Sequence, residues 1–137
     1  MGTDRGRDRP SHQAVGPRST EVVLLNSQGL VLSVSRKTDP TDLGLPGGKV
    51  EEGETYAEAA IRETLEEIGV RVIKMRPVFD CRCGVYQSRT FLVEEWEGEP
   101  ASLEGAAVAW VPIERLLEPD NTFCEYNRKL FSRLKMI

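Results

Sequence analysis

The chain has 137 residues, 39% of them hydrophobic and 29% charged, with a formal net charge of −4. That length builds one domain around one core. So mild an acidity excludes a general nucleic-acid or membrane-surface binder, and the single histidine, His12 in the first segment, excludes histidine-centred catalysis.

In chain order, residues 1–19 are rich in Gly, Pro, Arg, Asp and Ser with little to bury, and are expected to be a disordered tail before a domain at 20–137. "TEVVLLN" and "LVLSVSR" predict two strands joined into an opening hairpin by the turn Asn26–Gly29. "KTDPTDLGLPGG" reads as a loop from its Pro, Gly and Asp content. A helix is expected from Tyr56 to Ile68, ended by Gly69. "VRVIKMRPVFD", "GVYQSRTFLVEEW" and "AVAWV" predict further strands, with Trp96 and Trp110 as ordinary half-buried aromatics. "PIERLL" and "TFCEYNRKLFSRLKM" predict helices, Pro112 at the first helical position of one and Asn121 as N-cap of the other. The interleaving gives an α/β (α+β) fold, a sandwich of helices about a mixed sheet. No apolar run reaches the roughly 18 residues of a membrane span, and the start of the chain lacks the apolar segment of a secretory signal, so a cytoplasmic protein is expected. Cys81, Cys83 and Cys124 read as reduced thiols.

The chemistry is concentrated in residues 47–70, "GGKVEEGETYAEAAIRETLEEIGV". Within residues 51–67, seven glutamates, 51, 52, 54, 58, 63, 66 and 67, face one base, Arg62. At ~100° per residue, Ala57, Ile61, Leu65 and Ile68 share an apolar arc expected to face the core, and Glu63, Glu66 and Glu67 share the opposite side. Like charges at such spacing repel by a few tenths of a kcal/mol per pair, a cost that a hard divalent cation with oxygen ligands would remove.

The spacing of Gly48, Glu54, Arg62-Glu63, Glu66-Glu67 and Gly69-Val70 resembles the Nudix box, the signature of Nudix hydrolases; Thr64 stands where that family usually has a larger apolar residue. "LVEEWEGEPASLEG" is similar to the matching strand and loop of the MutT-like branch. The resemblance implies hydrolysis of a nucleoside diphosphate linked to another moiety, assisted by Mg²⁺ or Mn²⁺. It implies Glu66 and Glu67 as metal ligands, the Gly48 carbonyl as a third, Glu63 as ligand or general base, and Glu104 as a further ligand or base. Arg62 and Glu54 would orient these groups. Arg36 and Lys37 are candidates for phosphate contact, and Asn121 for reading a purine edge, as an alternative to its role as a cap. The activity implied is that of a nucleoside triphosphate pyrophosphohydrolase. ADP-ribose, sugar nucleotides, dinucleoside polyphosphates, capped RNA and a non-catalytic nucleotide sensor are the alternatives. A monomer or homodimer is expected.

Overall fold

The computed structural model describes residues 16–137. In order they form β1 (Arg18–Val23), β2 (Val31–Arg36), β3 (Asp39–Gly44), β4 (Gly47–Lys49), α1 (Tyr56–Ile68), β5 (Arg71–Cys83), β6 (Tyr86–Glu97), β7 (Val108–Val111), a 3₁₀ turn (Ile113–Leu117) and α2 (Cys124–Arg133). The expectation of a disordered tail lies, over residues 1–15, outside the described residues; Arg18 and Ser19 already belong to β1. Cys81 and Cys124 are free thiols.

The strands make two sheets, β4-β1-β6-β5 and β3-β2-β7. The first is mixed, because β1 runs parallel to β6 from Arg18↔Gln87 to Val23↔Leu92, while β4 and β5 are antiparallel to their neighbours. Consecutive residues of β1 point to opposite faces, as a pleat requires. Val22 joins a core with Val34, Tyr56, Ala60 and Ile68 on the α1 side, and Val23 joins one with Leu116, Tyr126, Leu130 and Phe131 on the α2 side. Burial on both faces is why "VVLL" is a continuous apolar run rather than an alternating one.

The opening hairpin is not formed. The turn exists, with Gly29 N–H donating to the Asn26 carbonyl (3.0 Å) at a φ of 78°. Pairing across it stops at the Leu25↔Val31 bridge and the Leu32 N–H bond to the Leu24 carbonyl, after which β1 and β2 enter different sheets. The expected loop at 37–48 is largely strand. Pro40 is tolerated because β3 is an edge, where a missing N–H breaks no ladder. Gly47 allows β4 to lie close on β1: a Cβ there would stand 2.1 Å from the Thr20 carbonyl oxygen.

Helix α1 occupies the predicted span. Thr55 caps it in a reciprocal box with Glu58, and Gly69 at φ 71° ends it with its N–H on the Leu65 carbonyl. Its buried face differs from the expected arc. Ile61 and Leu65 are 41% and 47% exposed, whereas Tyr56, Ala59, Ala60, Thr64 and Ile68 are buried. Thr64 fits without a larger apolar group because its hydroxyl donates to the Ala60 carbonyl at 2.7 Å. The other two helical starts also shift. Pro112 is the cap rather than the first helical residue of the 3₁₀ turn, and α2 is capped at Phe123, two residues after Asn121.

Candidate active site

The face of α1 that turns toward β4 and β1 carries the carboxylates. A Cβ on Gly48 would lie 2.4 Å from Cδ of Glu63, so the absence of a side chain there is what admits the carboxylate. Oε1 of Glu67 accepts a hydrogen bond from the Gly47 N–H at 3.0 Å. The glycine pair thus seats one carboxylate on each residue.

Arg62 gathers the rest. Its guanidinium grips Glu54 with two bonds, Nε to Oε2 at 2.6 Å and Nη2 to Oε1 at 2.9 Å. Nη1 reaches Glu63 at 3.1 Å and Glu66 at 3.2 Å, and Nη2 donates to the Lys49 carbonyl at 3.1 Å. This fork ties the 49–54 loop to the helix and fixes two of the acids, an arrangement that a point-charge lysine could not hold.

The electrostatics separate the acids. Hydrogen bonding to Arg62 lowers the Glu54 carboxyl. Burial raises Glu63 despite Arg62, with Glu66 and Glu104 adding repulsion. Burial pushes Glu67 up to about 7, against the Gly47 hydrogen bond; Glu63 and Glu104 raise it further and Lys37 lowers it. Glu104, in the loop before β7, therefore acts on the same charge cluster, as does Lys37 after β2. Among the described residues no three Asp, Glu, His or Cys side chains are already gathered into a metal cage. The donor set nevertheless fits a hard cation: oxygen donors, a carboxylate whose charge is disfavoured by burial and by neighbouring acids, and a glycine cradle that a Cβ would fill.

Two sequence candidates stand apart from this cluster. Arg36 is exposed; it forms an ion pair with Asp42 at 3.8 Å and donates a hydrogen bond to the Thr122 hydroxyl at 3.4 Å. Asn121 is buried, with Nδ2 donating to the Leu43 carbonyl at 2.6 Å and Oδ1 accepting from the Phe123 N–H at 2.8 Å. Its amide therefore orders the approach to α2.

A cavity of about 270 Å³ adjoins the glycine pair, lined by Ser19 and Glu21 of β1, Gly47 and Gly48, Tyr86 and Ser88 of β6, and Phe123, Tyr126 and Asn127 at α2. Burial pushes the Glu21 carboxyl up to about 7, against hydrogen bonds from Tyr126, Ser19 and Thr90. Sequence reasoning missed this cavity and Glu21. The available signal was an acid placed directly before the apolar run "VVLL".

Residues 16–134 match the NUDIX domain, a family whose hydrolases generally need divalent metal ions. The chain is similar to the 8-oxo-dGTP diphosphatase of Escherichia coli K12, 34% identical over 123 residues that cover 84% of this chain and 93% of that one. It is similar to the Haemophilus influenzae protein of the same name, 38% identical over 96 residues, 67% of this chain and 69% of that one. Its fold is similar to the MutT Nudix hydrolase of Burkholderia pseudomallei, at a TM-score of 0.71 and 22% identity over 84% of this chain and 97% of that one. The chain therefore belongs to the Nudix hydrolases, in their MutT-like branch, and is a nucleotide pyrophosphohydrolase.

Proposed function

We propose that the protein hydrolyses 8-oxo-dGTP to 8-oxo-dGMP and pyrophosphate, using Mg²⁺ or Mn²⁺, in the cytoplasm. The substrate comes from its similarity to proteins of that name. The observation that carries the chemistry is Glu67, which accepts a hydrogen bond from the Gly47 N–H and whose carboxyl is pushed up to about 7 by burial, with Glu63 and Glu104 adding to the rise. In this reading the Gly48 carbonyl, Glu66, Glu67 and Glu104 hold the cation. When bound, it offsets the triphosphate charge and acidifies the attacking water. Glu63, raised above the usual carboxylate range, accepts the proton of that water. Arg62 fixes its orientation and Glu54 fixes Arg62. Lys37, which already lowers the Glu67 carboxyl, meets the phosphates.

The test is a product analysis with 8-oxo-dGTP, dGTP, dATP and ADP-ribose in the presence of Mg²⁺. The expected result is pyrophosphate and nucleoside monophosphate, with the highest kcat/KM for 8-oxo-dGTP. Release of orthophosphate, or preference for ADP-ribose, would overturn the reading.

A further inference from the structure

The acid lining the cavity beside the glycine pair has no part in the metal-centred chemistry. Glu21 pairs with Gly47 across β1 and β4 and, two residues before Val23, faces the α2 side of the sheet, where it lines the cavity that Gly47 and Gly48 also line. Its Oε1 accepts from the Tyr126 hydroxyl at 3.0 Å and from Thr90 Oγ1 at 3.5 Å. The groups that steady its charge are hydroxyls, Tyr126, Ser19 and Thr90. A carboxylate is acceptor-only, with about four lone-pair sites, so donors from a ligand in the cavity would complete its bonding. Around it, Tyr86, Phe123 and Tyr126 supply aromatic surface for a flat ring.

We propose that Glu21 selects the nucleobase, accepting the two adjacent N–H donors of a guanine-type edge, N1–H and the 2-amino group, with the base in this cavity and the phosphates toward Gly48. The proposal rests on the triphosphate reading of the site. Adenine and cytosine place one amino donor beside a ring-nitrogen acceptor, whose lone pair would oppose the carboxylate. Thymine sets a single N–H between two carbonyls, and hypoxanthine lacks the amino group. Oxidation at C8 leaves the edge in question unchanged, so Glu21 selects guanine over other bases and is indifferent to oxidation. A bidentate pairing of this kind discriminates by about 10- to 100-fold.

Calorimetric titration of the full chain with dGMP, dIMP and dAMP in Mg²⁺ tests it without turnover. The wild type is expected to bind dGMP at least about 10-fold more tightly than dIMP or dAMP. Glu21→Gln, which turns one acceptor into a donor at nearly constant volume, is expected to weaken dGMP about 10- to 100-fold and to change dAMP by less than about threefold. Equal weakening of all three ligands, or no dGMP preference in the wild type, would overturn the proposal, as would absence of binding by all three. Should the variant not fold, the wild-type order decides. The two readings fail separately. A dGMP preference without pyrophosphate release from 8-oxo-dGTP removes the triphosphate reading alone, and 8-oxo-dGTP hydrolysis with equal dGMP and dAMP affinity removes Glu21 alone.

Discussion

On its inner side α1 carries Glu63 and Glu67 among the buried Ala59, Ala60 and Thr64, whereas on its outer side Ile61 and Leu65 stand 41% and 47% exposed. An ordinary surface helix keeps its charge in water; here two carboxylates share the buried side with Tyr56, Ala59, Ala60 and Ile68. That arrangement costs stability through desolvated carboxylates, and the exposed Ile61 and Leu65 return little of it by burial. The inner cost is the kind a cation can offset, as the proposed metal site requires, and the outer side has no part in that proposal. Catalytic sites often hold charges that folding alone would not place there.

The largest expected effect breaks the inner side. Glu67→Gln keeps the Gly47 contact in size but removes a ligand charge, and kcat is expected to fall by about three orders of magnitude or more in steady-state assays with Mg²⁺. Near-normal turnover would remove Glu67 from the metal site.

The same carboxylate sets a pH dependence of stability. The Glu67 carboxyl is raised in the folded protein to about 7 from an ordinary value of 4.5, so the folded state binds more protons between those values. The contribution of this group is therefore fully present below pH 4.5 and is lost as the pH rises through 7, by up to about 3 kcal/mol. With a chelator present, Glu67→Gln should melt higher than the wild type at pH 8, by on the order of 10 °C. The difference should vanish near pH 4. Glu21 shifts the same way in both proteins and cancels in the comparison.

The glycine pair separates fold from chemistry. A Cβ on Gly47 meets backbone, the Thr20 carbonyl oxygen at 2.1 Å, and β4 cannot move without leaving β1. Gly47→Ala should cost about 1–3 kcal/mol in denaturant unfolding. A Cβ on Gly48 meets a side-chain end, the Glu63 carboxylate, which can swing away. Gly48→Ala should keep most of the stability and lose turnover.

The smallest effect belongs to the outer side, where Leu65→Ser should change stability by less than about 0.5 kcal/mol and leave kcat unaltered. A large loss of turnover there would mean that the outer side takes part in the site.

The α1 span and its carboxylates were legible in the sequence because both signals are local: a cap, a terminating glycine and fixed spacing along one helix. The direction in which that helix faces was not legible. Ile61 and Leu65 look like core on a helical projection, and only packing against β4 and β1 reveals that Ala59, Ala60 and Thr64 are the small residues letting the helix approach. The strands β1 and β2 were visible as apolar runs, but their assignment to separate sheets depends on pairings as distant as Val23 with Leu92. β3 and β4 were hidden by Pro40 and the glycines, which an edge strand and a tight strand crossing both accommodate. Glu21 escaped notice because a lone acid before an apolar run gives no sign that Tyr126, 105 residues away, will meet it.

The most direct measurement is Mn²⁺ binding by electron paramagnetic resonance, comparing wild type, Glu67→Gln and Leu65→Ser at pH 7.5. The result expected is binding by the wild type and by Leu65→Ser with the same affinity, and a loss of about 10-fold or more in Glu67→Gln. Equal Mn²⁺ affinity in all three proteins would contradict the assignment of the inner side of α1 as the metal site.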